Sequence, residues 1–212
     1  MKLSDLSCRD FTVELSSKKP VPGGGGTAAL VSALGVSLNT MVANFTIGKK
    51  KYQNYEKQYD DIIKRGEKLR NDLIYLIDKD AENFEPLSRA YSMPYNTEEE
   101  KKLKDEMLEK CLKMACNAPV EIIEFSYDAI ILHRELVDIS SKIMISDIGV
   151  GVQCLKAALN SAYLNVLINV NLIEDEIFVK ELKERIENKI IKGTQTADEV
   201  YEKVINIMNN KN

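Results

Sequence analysis

Three groups of residues have types and spacings that could do chemistry. The first is Pro20-Val21-Pro22-Gly23-Gly24-Gly25-Gly26-Thr27, which runs into Ala28-Ala29-Leu30. Four adjacent glycines are costly to order and have nothing to pack, so a folded domain keeps them where backbone approaches something closely. The prolines stiffen the approach and argue against a loose linker. A helix sequence follows, so its first N–H groups and positive dipole end suit an anion or an electron-rich polar ligand. The second group is Lys49-Lys50-Lys51, directly after Gly48. Three neighbouring ammonium groups repel one another and invite a polyanion. The third group is Asp147 at the head of an apolar helix, with Asn165 and Asn169 four apart on one face of it.

Each group also has a purely structural use. The glycines could form a tight turn between close helices, and the lysines a solvated helix end. Asp147 could serve as an N-cap, and the asparagines as helix-to-helix hydrogen bonds. The glycine run fits neither a P-loop nor a dinucleotide fingerprint, because no strand precedes it and no Gly-Lys-Ser/Thr follows. Asp78 and Asp80 fall on different faces of a helix, so at most one turns inward. His133, the only histidine, is expected at the surface beside Arg134 and Glu135, so His-based nucleophilic or metal chemistry is not expected.

The elements that must position these groups all read as helix. Ser7 and Asp10 make a helix start. Residues 27–46 are apolar nearly all round, as in a buried helix. Residues 55–84 are amphipathic, and Pro86 and Pro94 bracket a connection. Thr97 and Glu100 cap the next helix, which runs to Met114; another covers 119–139. Ser146-Asp147 caps a long apolar helix ending near Ile173. Leu182 to Ile191 marks a further helix, and Thr196 with Glu199 caps the last. The expected fold is one all-α domain over 1–212, an antiparallel bundle of about seven to nine helices.

A formal net charge of −4 over 212 residues speaks against nucleic acid as a partner. Cysteines at 8, 111, 116 and 154 match neither a zinc site nor a disulfide framework, which points to reduced thiols. No signal peptide opens the chain, and segment 143–173 carries too many polar groups for a membrane span. A cytoplasmic protein without membrane contact is the expectation.

Several stretches, in order, resemble the cyclodeaminase/cyclohydrolase family of folate one-carbon metabolism. They are Pro20 to Leu30, Met41-Val-Ala-Asn-Phe-Thr-Ile-Gly-Lys-Lys-Lys-Tyr52, Asp78-Lys-Asp80-Ala-Glu-Asn-Phe84 and Pro94-Tyr-Asn-Thr-Glu-Glu-Glu-Lys101. Ser146-Asp147-Ile-Gly-Val150 and Ala162-Tyr-Leu-Asn165-Val-Leu-Ile-Asn169 complete the set. The resemblance implies an all-α homodimer, with a tetrahydrofolate derivative, polyglutamylated or not, bound near the glycines at a subunit interface. It implies no metal or redox cofactor. Family members often carry serine where this chain has Gly26, which places the cradle on Pro22, Gly23, Gly24 and Gly25. The transferase domain of the bifunctional members is not part of this sequence.

Two reactions follow from the resemblance. One hydrolyses 5,10-methenyltetrahydrofolate to 10-formyltetrahydrofolate; the other expels ammonia from 5-formimidoyltetrahydrofolate. Both pass through a tetrahedral carbon between N5 and N10 and need a proton carrier and an anion beside it. On the motif positions, Asp147 is the expected carboxylate and Lys49 the proton donor. Lys50 and Lys51 are expected to hold the glutamate tail, and Asp80, Asn165 and Asn169 to contact substrate. Hydrolysis is the favoured reaction because the partner domain is missing; a non-catalytic helical folate or anion binder is the rival from another class.

Overall fold

The computed structural model describes residues 2–210. Among them there is no strand. A two-turn helix, α1 (Cys8–Leu15), precedes six longer ones: α2 (Gly24–Thr46), α3 (Glu56–Tyr91), α4 (Glu98–Ala115), α5 (Asn117–Leu136), α6 (Ile145–Val170) and α7 (Glu176–Asn209).

Helix α2 is the axis of the bundle. It packs chiefly against α3 and α6 and also meets α5, while α7 leans on α5 and α6 and α4 flanks α3. Close backbone contact sets the crossing of α2 with α6. A Cβ on Gly35 would lie 2.9 Å from the Gly151 carbonyl oxygen, and one on Gly151 would lie 3.0 Å from that of Gly35. Further along, Gly24 faces Asn165, so the two helices run antiparallel. Gly26 faces Ile77 and Gly66 faces Thr40, which makes α3 antiparallel to α2 as well. Such ladders of small residues bring the glycine end of α2 and the C-terminal halves of α3 and α6 to one place.

By length and composition α2 could cross a membrane, but more than half of its apolar window is buried inside the bundle. Its apolarity is that of a core helix.

Four expectations about the elements change. First, α3 continues through Pro86 to Tyr91. Leu87 and Ala90, beyond the proline, are buried, and that packing outweighs the lost backbone bond. Second, Thr196 does not start a helix; α7 is continuous and Thr196 is buried within it. Gly193 permits this by lying against Leu159 and Tyr127. The bundle therefore has fewer separate long helices than the caps suggested. Third, Asp147 is not an N-cap: α6 starts at Ile145 straight out of a 3-10 turn, and Asp147 sits in its first turn. Fourth, His133 is wholly buried. Its Nδ1 pairs with the Ala129 carbonyl oxygen at 2.9 Å, its ring lies against the bare backbone of Gly151, and burial pushes its pKa down to about 4. It is a neutral core residue at pH 7.

Candidate active site

Helix α2 has an unusual start. Its N-cap, Gly23, has no side chain to offer. Thr27 N–H and Oγ1 both donate to the Gly23 carbonyl, at 3.1 and 2.8 Å. Gly26 N–H donates to Oδ2 of Asp80 on α3, at 2.9 Å. A carboxylate from a neighbouring helix thus replaces the missing cap. Gly24 and Gly25, the first two helical residues, have no intrahelical acceptor for their N–H groups.

Beside this turn lies a cavity of about 190 Å³, walled by Pro20, Val21, Gly23, Gly24, Gly25, Asp80, Phe84, Ala115, Pro119, Asn165, Ile168 and Asn169. At Gly24 and Gly25 there is no room for a side chain. A methyl on Gly25 would overlap the Asp80 carboxylate, and one on Gly24 would come within 2.9 Å of Asn165 Oδ1. Asn165 Nδ2 donates to the Ser161 carbonyl and Asn169 Nδ2 to that of Asn165, at 2.8 and 3.1 Å. Both amides are therefore steered by their own helix, with their oxygens left to accept.

Asp80 is the only wall residue with a carboxyl, amine or imidazole. Burial pushes its pKa up to about 6, and the Gly26 N–H pulls in the opposite direction. Behind Ala115, burial pushes the Cys116 thiol up to about 11 despite the Asn169 amide beside it. That thiol is neutral and a poor nucleophile at pH 7. Proton chemistry in this cavity falls to Asp80.

The expected residues are therefore divided. Gly23, Gly24, Gly25, Asp80, Asn165 and Asn169 share the cavity; Pro22 is buried just behind it while Pro20 and Val21 form the wall. Asp78 faces elsewhere, where its carboxylate accepts from Leu3 N–H and Ser4 N–H and ties down the N-terminal turn. Lys49, Lys50 and Lys51 follow the far end of α2, about 33 Å from Gly24 at 1.5 Å per residue. Asp147 is likewise at the opposite end of α6 from Asn165. Neither Asp147 nor the lysines reach the cavity of their own subunit, because antiparallel packing sends both helix ends the other way. Phe84, the last residue of the Asp78–Phe84 stretch, is not among the expected contacts, although it stands four residues after Asp80 on the same helical face.

The family model described as formiminotransferase-cyclodeaminase matches residues 7–188. The chain belongs to this family. Among formiminotransferase-cyclodeaminase relatives, methenyltetrahydrofolate cyclohydrolase from Methylorubrum extorquens is 35% identical over 194 residues, covering 92% of this chain and 93% of that protein. Formimidoyltransferase-cyclodeaminase from Rattus norvegicus is 30% identical over 196 residues, 92% of this chain but 36% of that longer protein. The crystal structure of formiminotetrahydrofolate cyclodeaminase from Thermotoga maritima superposes with a TM-score of 0.81 at 30% identity, covering 97% of both chains.

Proposed function

We propose that this chain hydrolyses 5,10-methenyltetrahydrofolate to 10-formyltetrahydrofolate in the glycine-walled cavity, with Asp80 as the proton carrier. The observation that carries this reading is a lone carboxyl in the cavity wall, held by the Gly26 N–H in the same turn as the free Gly24 and Gly25 N–H groups, and raised to about 6. The substrate is a cation delocalised over N5, the bridging carbon and N10. Ionised Asp80 balances that charge and takes a proton from the attacking water as its oxygen bonds to the carbon. The oxygen's developing charge faces the Gly24 and Gly25 N–H groups. Protonated Asp80 then returns the proton to N5 as the N5–carbon bond breaks, and the remaining hydroxyl proton leaves to water as the C=O forms, so the formyl group stays on N10. A pKa near 6 suits a group that must both take and give a proton near neutrality.

The full-length likeness to a cyclohydrolase supports hydrolysis over ammonia release. The likeness to the Thermotoga cyclodeaminase supports the second reading, in which N10 attacks the formimidoyl carbon and Asp80 carries the N10 proton to the amino nitrogen, which leaves as ammonia. Purified protein is expected to bleach the near-ultraviolet absorbance of 5,10-methenyltetrahydrofolate faster than buffer alone. Ammonia release from 5-formimidoyltetrahydrofolate without methenyl hydrolysis would reverse the assignment.

A homodimer belongs to the same proposal. The cavity is smaller than the roughly 300–1,000 Å³ that encloses a drug-sized ligand, so it holds one ring system and leaves the rest outside. From beside it toward the other end of the bundle, α6 exposes Ile168, Leu164 and Val150, with Leu172 just past its C-terminus, and α2 exposes Leu34 and Phe45. Ile168 belongs both to this stripe and to the cavity wall. A second copy seated on the stripe would cover the mouth. Leu164→Glu is expected to shift the protein from dimer to monomer in sedimentation velocity; a dimer unaffected by that charge would place the interface elsewhere.

A further inference from the structure

We propose that Lys18 anchors the acidic tail of the substrate, a reading that rests on the cavity taking a reduced pteridine. Tetrahydrofolates end in a glutamate with two carboxylates, yet the cavity wall contains no cation. Four cations lie within four residues of a wall residue: Lys18, Lys19, Lys79 and Lys113. Three of them are committed. Lys19 is paired with Glu14, Lys79 with Glu82, and Lys113 with both Glu109 and Asp175. Lys18 is exposed and pairs with no carboxylate among the described residues.

Its placement suits the task. Lys18 stands two residues before Pro20, so its Cα is at most about 7 Å from that of a wall residue. The segment between them is tied down on both sides. Lys19 N–H donates to Ser17 Oγ at 3.2 Å, the Lys19 ammonium holds Glu14, and Pro22 is buried. A free ammonium on a segment this close to the wall is within reach of the carboxylates of a ligand whose ring is inside. The triple-lysine corner, about 33 Å away along α2, cannot do this in the same subunit.

The test compares two ligands, 5-formyltetrahydrofolate and the corresponding pteroate that lacks glutamate, by titration calorimetry. Lys18→Glu is expected to weaken the glutamate-bearing ligand about fivefold or more at low salt, with the loss fading as salt is added. Binding of the pteroate is expected to change by less than about twofold, and the variant Lys49→Ala/Lys50→Ala/Lys51→Ala to leave both ligands alone. Equal losses for both ligands, no loss, or a loss confined to the triple variant would overturn the assignment to Lys18. If neither ligand binds the wild-type protein, the pteridine reading itself fails and this proposal with it.

Discussion

Asp80→Asn is expected to lower turnover of 5,10-methenyltetrahydrofolate by about a thousandfold while making the folded protein more stable at pH 7. The two effects have one cause. In the unfolded chain Asp80 titrates near 3.8, whereas in the fold burial raises it to about 6. Between these values the folded state binds more protons than the unfolded one, so the group's contribution to stability falls as pH rises through that window. Above pH 6 the full penalty for a buried charge is present; below 3.8 it is absent. Asparagine keeps an oxygen for the Gly26 N–H but never ionises. Urea denaturation should show the variant about 3 kcal/mol more stable at pH 7, with the gap closing toward pH 4. A variant that retains turnover, or one equally destabilised at both pH values, would remove Asp80 from its assigned role.

Gly25→Ala is expected to cost about a hundredfold in turnover with little change in thermal stability. Alanine favours the helical backbone over glycine by roughly 1 kcal/mol, so α2 itself gains. The added methyl, however, overlaps the Asp80 carboxylate, which must swing away from the cavity and from the Gly26 N–H. A displacement of about 1 Å at a reacting centre is enough for such a loss. Because the harm passes through Asp80, the two substitutions should not add. In an Asp80→Ala background, Gly25→Ala should have almost no further effect on turnover. Additive losses would mean that the glycine acts on the ligand directly.

The all-helical class and most helix starts were legible because they depend on local pattern. Thr97 with Glu100 forms the capping box its spacing implies. The glycine run does open a helix, three residues earlier than the apolar pattern alone indicated. What local pattern could not supply was the pairing of helices. Gly35 against Gly151 and Gly24 against Asn165 fix α2 and α6 antiparallel, and that one relation decides which candidates meet. It unites the glycines with Asn165 and Asn169 and sends Lys49 and Asp147 to the other end, while the matching pairing of Gly26 with Ile77 on α3 brings in Asp80. His133 misled for a similar reason. Its neighbours Arg134 and Glu135 are exposed, but the ring turns toward the gap left by Gly151, and no property of its own helix announces that gap.

The borrowed cap on α2 ties electrostatics to mechanics. The Asp80 carboxylate that accepts from Gly26 is the side-chain anchor of that helix terminus, and hydrogen bonds to an ionised acceptor are roughly twice as strong as those to a neutral one. Each protonation event on Asp80 therefore slackens the glycine turn, and each deprotonation draws it tight again. The turn is thus a spring whose tension is set by a single hydrogen ion.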